Sequence, residues 1–324
     1  MNINLTDDWL VIVNPKAGMH KSRMQLLALL RKVRNAGFNI TVKFTQRKNH
    51  ATELTSKYIG RGFRNFIIAG GDGTVNEVVN GIFSQNEVPV KDICIGLLPL
   101  GSGNDLCKMY NIPESFDKAV EVLKKGNISC QDIGRVSYYF KNKKKSKFFV
   151  NIAGLGFDAF VTQRSNKWKE NYLKGKVLYM LALVSSLASY RSKKVKIISD
   201  GQLLLDSKVF SIAVGIGKYN GGGMMQVPDA IADDGFFDVT VIERMSKAEV
   251  IKNVKNLYDG SFVSNQKVKL FRMESLKIES DQKLLLEADG ESLGFAPVDF
   301  DIFPRSLNII SGNLSIQQST SSKC

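Results

Sequence analysis

The sequence predicts an α/β plus β chain: an N-terminal Rossmann-like, three-layer α/β domain followed by a C-terminal β-sandwich-like domain. Three observations predict it. Over the first ~130 residues, short apolar runs alternate with segments of helical apolar spacing, the pattern of repeated β-loop-α units around a parallel sheet. Every glycine-rich loop in that stretch follows a strand, at the carboxyl ends where such sheets hold ligands. From about Cys130 onward, helical spacing gives way to a succession of short strands. We place the first domain at 1–131 and the second at 132–304, with residues ~305–324 free to pack back on the first.

The elements follow in order. Trp9–Val13 is an apolar strand that runs into the loop Asn14-Pro15-Lys16-Ala17-Gly18. Met24–Val33 has helical spacing, and Gly37 stands where a C-terminal cap belongs. Ile40–Phe44 is a second strand and Thr52–Ile59 a second helix, which His50 is placed to cap. Phe66–Ala69 is a third strand, ending in Gly70-Gly71-Asp72-Gly73-Thr74; the helix that follows is expected over Val75–Phe83. Ile93–Leu98 leads to a second glycine turn, Leu100-Gly101-Ser102-Gly103-Asn104-Asp105, and Ala119–Lys124 is a helix closed by Gly126. In the second domain the strands expected are Gly134–Phe140, Phe148–Ile152, Val195–Ile198, Val209–Val214, Phe236–Val241, Leu276–Ile278 and Leu284–Ala288. Helices are expected near 172–190 and 247–258, and a frayed polar tail at Gln317–Cys324.

Composition narrows the function. The chain carries 45 basic against 31 acidic side chains, a net +14, which favours anionic partners such as nucleotides, nucleic acid or an acidic membrane surface. Its four cysteines (Cys94, Cys107, Cys130, Cys324) show neither zinc-ligand nor disulfide-framework spacing, consistent with a reducing cytoplasm. The N-terminus has no secretory pattern, and the uncharged run Val177–Tyr190 is too short to span a bilayer, which takes about 20 residues. There is no GxxxxGK[ST], no protein-kinase H-R-D or D-F-G set, and neither His20 nor His50 sits in a nucleophile elbow. Nucleic-acid binding would explain the charge but has no motif behind it.

The loop at Gly70–Thr74 carries the chemistry. Glycines let main-chain N–H groups approach a ligand closely, and the helix behind them turns its positive end to the same space, which suits phosphate. Asp72 among those donors would repel phosphate unless it handles a proton or a metal. The combination reads as a phosphoryl-transfer site.

Gly70-Gly71-Asp72-Gly73-Thr74-Val75-Asn76-Glu77-Val78-Val79-Asn80-Gly81, the upstream loop Asn14–Gly18, the downstream Pro99–Leu106, the stretch Val227–Val239 and Ala288-Asp289-Gly290-Glu291 together resemble the diacylglycerol kinase catalytic family. That family includes bacterial lipid kinases and is related to sphingosine and ceramide kinases. The resemblance implies an ATP- and Mg²⁺-dependent transfer of the γ-phosphoryl group to a lipid primary hydroxyl, in the first instance diacylglycerol to phosphatidic acid. It implies nucleotide contacts from Asn14, Pro15, Gly18, Thr45, Gly70, Gly71, Asp72, Gly73, Thr74, Asn76, Glu77, Gly101, Ser102 and Asn104. Gly-Ser-Gly stands here where the family commonly has Gly-Thr, so Ser102 supplies the hydroxyl. Asp233 or Asp234, with the carbonyls of Ile231 and Phe236, match the family's magnesium loop, and Asp105 and Asp132 its metal-network support. As a sequence, Asp233-Asp234-Gly235 is also an ordinary turn. Asp289 is the first choice of general base, with Glu291 beside it and Asp72 as competitor.

Other features stay open. Asn151–Ala159 has the outline of a dinucleotide fingerprint but opens no repeated βαβ unit; the resemblance places it in the acceptor pocket, with Asp158 either a head-group contact or structural. Val177–Tyr190 is a core helix or the wall of an acyl-chain channel, with Lys167, Lys169, Lys174 and Lys176 near lipid phosphates. Lys141, Lys143, Lys144, Lys145 and Lys147 form a solvated loop between two strands or a tip that docks on anionic headgroups. The expected partners are a lipid substrate and, transiently, the inner membrane surface of the cytoplasm; relatives suggest a homodimer. The competing readings are a soluble-substrate kinase of the NAD kinase type and a nucleotide-sensing, membrane-binding module without catalysis.

Overall fold

The computed structural model describes residues 4–18, 22–141, 143–171 and 176–312, and its contacts divide the chain into two units, Met1–Asp132 with Arg305–Cys324, and Ile133–Pro304. The tail Gln317–Cys324 and the side chains of Lys169, Lys174 and Lys176 lie outside the described residues.

Unit one is built in chain order from β1 (Asp8–Val13), α1 (Arg23–Asn35), β2 (Asn39–Phe44), α2 (His50–Ile59), β3 (Asn65–Gly70), α3 (Asp72–Phe83), β4 (Cys94–Pro99), α4 (Asp105–Met109) and α5 (Phe116–Lys125). β1 pairs in parallel with β2 and β3, and β3 with β4. Residues such as Val11, Ile12, Phe66, Ile67 and Ile68 are all but inaccessible, and so, in β4, are Ile95 and Leu97. Near-continuous burial along the strands is what helix-covered parallel sheets impose. α3 begins at Asp72, inside the loop rather than at Val75: the first helical turn is Asp-Gly-Thr, residues of poor helix propensity that hide the start. The short α4 is an element that the apolar spacing does not predict. α2 does start beside His50, but His50 does not cap it; its Nδ1 accepts the Gln46 N–H (3.0 Å).

The chain leaves unit one within β5 (Ile128–Phe140) and returns within the 20-residue β16 (Glu291–Ile310), whose end pairs in parallel with β4 at Asn308 and Ile309. Between them lie β6 (Lys143–Phe149), β7 (Ile152–Gly156), α6 (Phe157–Asn171), α7 (Lys176–Ser189), β8 (Lys193–Ser199), β9 (Gln202–Gly215), the short pair β10 (Tyr219–Asn220) and β11 (Met224–Met225), β12 (Phe237–Glu243), α8 (Lys247–Asn253), β13 (Val268–Met273), β14 (Ser275–Glu279) and β15 (Leu285–Ala288).

In unit two the pairing is antiparallel, and its sandwich character comes from strands that change partners along their length. β9 pairs with β8 over Gln202–Val209, then with β7 and β12 over Val209–Gly215. β16 pairs with β15 around Glu291–Phe295, then with β14 over Val298–Asp301. Such strands make the corners of packed sheets. Phe149, Phe237 and Phe300 pack on one another at 5.9–6.1 Å in the core. A separate apolar cluster, including Phe157, Val161, Leu183, Leu187 and Phe210, joins α6 and α7 to β9.

Three expectations about unit two are corrected. The lysine run is not a loop: Lys143–Lys147 lie on β6, in register with β5 (Tyr138 opposite Lys145). The expected strand Phe148–Ile152 is two strands broken at Val150-Asn151. A helix, α6, follows β7 where none was expected, and β7 pairs with β9 and β15 antiparallel, which excludes a βαβ dinucleotide unit there.

Candidate active site

In unit one, three loops meet beyond the carboxyl ends of β1, β3 and β4. Gly71 and Gly101 approach main chain to main chain: a Cβ on Gly101 would lie 2.5 Å from the Gly71 Cα, and one on Gly71 2.9 Å from the Gly101 Cα. Neither contact could be relieved by moving a side chain. The Asn14 main-chain N–H donates to the Ala69 carbonyl (2.9 Å), and its Nδ2 to Thr74 Oγ1 (3.0 Å), so the first loop is fixed to the second. Asn104, at φ 52°, clamps its own loop, accepting from the Gly101 N–H (3.0 Å) and donating to the Gly101 carbonyl (2.9 Å). Thr45 continues β2 and donates its N–H to the Val13 carbonyl (2.8 Å). Pro15, Gly18, Gly70 and Gly73 belong to these loops, Ser102 is exposed on the third, and Asn76 is fully buried in α3.

The carboxylates around the loops have distinct surroundings. Asp72 Oδ1 accepts the Leu106 N–H (3.3 Å), on the first turn of α4. Asp72 and Asp105 both raise the Cys107 thiol, whose largest perturbation is burial, so the two carboxylates flank that residue. Glu77 is turned to α2: its oxygens accept the N–H groups of Asn49 (2.9 Å) and Ala51 (3.1 Å), the N-terminal donors that His50 was expected to satisfy. Asp132 is fully buried and accepts the Arg305 N–H (2.6 Å), tying together the points where the chain leaves and re-enters unit one.

In unit two, Asp289 and Gly290 form a two-residue turn between β15 and β16, both at positive φ (47° and 78°). The Asp289 carboxylate accepts three main-chain N–H groups across the β6–β7 break: Val150 (2.8 Å), Asn151 (3.0 Å) and Ile152 (3.3 Å). Glu291, on the same turn, pairs with Lys147 at 3.5 Å.

Sequence reasoning missed Glu287. Its side chain is fully buried, its Oε2 accepts the Gly290 N–H (2.8 Å) and its Oε1 the Asn220 Nδ2 (3.3 Å), so it props the turn from beneath. A Cβ on Gly154 would come within 2.7 Å of that Oε1, which is why this position of the glycine-rich stretch must be small. Burial pushes the Glu287 carboxyl up to about 8, with the charges of Asp158 and Asp289 adding to the shift. Asp158 is half-buried, and desolvation pushes its carboxyl up to about 6; its Oδ2 accepts from Ser211 Oγ (2.6 Å). The visible signal for Glu287 was an acidic residue inside the apolar run Leu284–Ala288.

These two carboxyls make stability depend on pH with a fixed sign. The folded value of Glu287 lies above the ordinary 4.5, so the folded chain holds a proton that the unfolded chain has lost between roughly pH 4.5 and 8. Its contribution is greatest below that window and is lost as pH rises through it; Asp158 acts likewise between about 3.8 and 6. Urea unfolding of Glu287→Gln at pH 5 and pH 8 is expected to show a smaller loss of stability on going to pH 8 than the parent chain shows. An unchanged loss would mean that Glu287 is ionised in the fold.

Asp158 also lines a narrow apolar cavity of about 60 Å³, walled by Phe157, Leu183, Phe210, Met245 and Leu257 among others.

The loop Val227–Phe236 holds the candidate metal residues. Asp234 Oδ1 accepts the Phe236 N–H (3.0 Å), its other oxygen pairs with Arg272, and the guanidinium lies 4.9 Å from the Phe236 ring centre. Asp238, also missed, is half-buried beside Asp229, Asp234 and Arg272; burial raises its carboxyl above the ordinary range. Its Oδ2 is buried with no hydrogen-bond partner. A hard cation on oxygen donors would satisfy such an atom, so the donor chemistry beside the loop, with Asp238 on β12, fits Mg²⁺. Among the described residues no three carboxylate, His or Cys side chains are grouped closely enough to hold a metal by themselves, so main-chain carbonyls and water would complete the shell.

Comparison with known proteins covers most of the chain. Residues 8–136 match the diacylglycerol kinase catalytic domain, and residues 151–311 the YegS C-terminal NAD kinase beta sandwich-like domain. A diacylglycerol kinase of Staphylococcus carnosus is 29% identical over 290 residues, 90% of each chain, and one of Bacillus subtilis 29% identical over 301 residues, 93% of this chain and 95% of its own. Among solved structures, a diacylglycerol kinase from Bacillus anthracis superposes with a TM-score of 0.69 at 21% identity, covering 94% of this chain and 97% of the other. An NAD kinase from Archaeoglobus fulgidus in complex with ATP shares the fold at a TM-score of 0.50 and 12% identity, covering 94% and 93%.

Proposed function

We propose, from the premise that the chain belongs to the diacylglycerol kinase catalytic-domain family and is a kinase phosphotransferase, that it transfers the γ-phosphoryl group of ATP to the primary hydroxyl of a lipid, diacylglycerol first among them. The observation that carries the reading is the backbone approach of Gly71 and Gly101, which brings the third loop against the start of α3 with no side chain between them.

Unit one is the nucleotide half of the reaction. The loops at Asn14–Gly18, Gly70–Thr74 and Gly101–Asn104 orient the phosphates, and Ser102 adds a hydroxyl. Unit two is the acceptor half. Its apolar cavity takes an acyl chain, which must widen the narrow space found here, and Asp158 and Ser211 meet the polar end of the lipid. Asp289 accepts the proton of the attacking hydroxyl, held in place by its three main-chain donors, with Glu291 beside it. Asp233 or Asp234 would hold Mg²⁺ with the carbonyls of Ile231 and Phe236, and Asp105 and Asp132 support the network. When bound, the ion screens charge on the transferring phosphoryl group.

The enzyme works at the inner membrane surface from the cytoplasmic side. Among the described residues no helix is long and apolar enough to cross a membrane. The β5–β6 hairpin exposes Tyr139 and Phe140 next to Lys141, Lys143, Lys144 and Lys145, and Lys145 Nζ lies 4.9 Å from the Phe140 ring centre. Exposed aromatic rings among cations suit an anionic lipid interface, at about 1 kcal/mol per Lys.

The test is transfer of labelled γ-phosphate from ATP to mixed-micelle diacylglycerol, ceramide, a sphingoid base and a polyprenol, with NAD in the same panel, with and without Mg²⁺. A Mg²⁺-dependent lipid product is expected. Label in NAD alone would replace this reading with a soluble-substrate kinase, and ATP binding without any labelled acceptor with a nucleotide sensor.

A further inference from the structure

Unit two holds a second cavity, of about 350 Å³, that the phosphotransfer reading does not use. Three cations line it, Arg191, Lys193 and Lys283, together with Gln163, Tyr190 and Leu285, and none of its lining residues is acidic. The cations come from separate parts of the chain: Arg191 follows α7, Lys193 opens β8, and Lys283 precedes β15. Lys193 shares a strand face with the buried Val195 and Ile197, so the pleat turns it inward, whereas Lys194 and Lys196 point to the exposed side. Lys194 has an acidic partner, Asp206 at 3.3 Å. Among the described residues the ion pairs include none of the three cavity cations.

Three like charges around one cavity repel each other, and an anion between them removes that cost. The C-terminus of α7, at Ser189, brings only about half a negative charge, too little to balance them. A guanidinium and two ammonium groups supply the fork and point charges that phosphate oxygens accept from. Beside the cations and the polar Gln163 and Ser189, part of the lining is apolar: Phe160, Tyr190 and Leu285 line the cavity, and Lys283 lies 5.6 Å from the ring centre of Phe295, which is 41% exposed. An inorganic ion would leave that surface unused, whereas an amphiphile would cover it. We propose that this cavity binds the phosphate group of an anionic phospholipid, at a site separate from the apolar cavity beside Asp158.

The test is calorimetric titration of the full chain, saturated with ATP analogue, with dihexanoylphosphatidylglycerol below its micelle concentration, with inorganic phosphate and with dihexanoylphosphatidylcholine. The anionic lipid is expected to bind at least about tenfold more tightly than either of the others, and the double variant Lys193→Gln/Lys283→Gln to weaken it by at least about tenfold. Lys194→Gln/Lys196→Gln, which removes the same charge from the other face of β8, is expected to stay within about twofold. Equal weakening by both pairs, or by neither, would overturn the site; equal affinity for inorganic phosphate would overturn its assignment to a lipid.

Discussion

Asp289→Asn is expected to lower kcat by about 10²–10⁴-fold, the range a positioned general base supplies. The geometry also predicts a second, separable effect. Both Asp289 oxygens are acceptors for main-chain N–H groups, and an amide would turn one NH₂ toward a donor. Losing an acceptor in this buried place costs about 1–3 kcal/mol. Stability and turnover must therefore be measured together, by urea unfolding and by initial rates at saturating ATP and lipid. A destabilised chain that keeps near-parental kcat would make Asp289 an anchor for the Val150–Ile152 segment and pass the role of base to Asp72. The expected result is the reverse: a folded chain, modestly less stable, with turnover almost gone.

Gly101→Ala should abolish measurable nucleotide binding, with the ATP dissociation constant raised by at least about a hundredfold, an effect of some 3 kcal/mol or more. The new methyl would sit 2.5 Å from the Gly71 Cα and 2.8 Å from Asn104 Oδ1. The first neighbour is main chain at the N-terminus of α3, so the third loop must move away from the second, and the Asn104 clamp must open with it. Gly103→Ala, two residues on in the same loop, is the comparison. Binding of a fluorescent ATP analogue reads both; a near-parental dissociation constant for Gly101→Ala would mean that the loops do not hold phosphate together.

Some features of this fold are recorded in residue type alone. Glycines at 70, 71 and 101 stand where the loops come together, and Gly71 and Gly101 touch there through main chain, a contact that only glycine permits. The glycine loops are therefore legible in the sequence. The apolar runs of β1, β3 and β4 are legible because burial on both faces leaves few polar residues in them. Features that depend on a distant partner are not. Glu287 is tolerated in a strand because Gly154 leaves room for it and Asn220 supplies a donor, and both lie far from it in the chain. Lys143–Lys147 read as a solvated loop, because the ladder that makes them a strand comes from β5. The place of Glu77 after the glycine loop points to the nucleotide, but the N–H groups it meets belong to the start of α2. α6 is hidden because its sequence, Phe157–Asn171, has weak helical periodicity.

The return of the chain through β16 has a consequence for biosynthesis. Most of unit one is made before unit two, but the strand that covers the free edge of β4 is made only after all of unit two. Asn308 closes that edge, donating to the Lys91 carbonyl (2.6 Å), and Ser311 joins Ser129 (2.8 Å). Until then β4 presents unpaired N–H and C=O groups, the kind of exposed edge that recruits other nascent chains. A nascent chain therefore gains a fully edged unit one only once unit two has been translated.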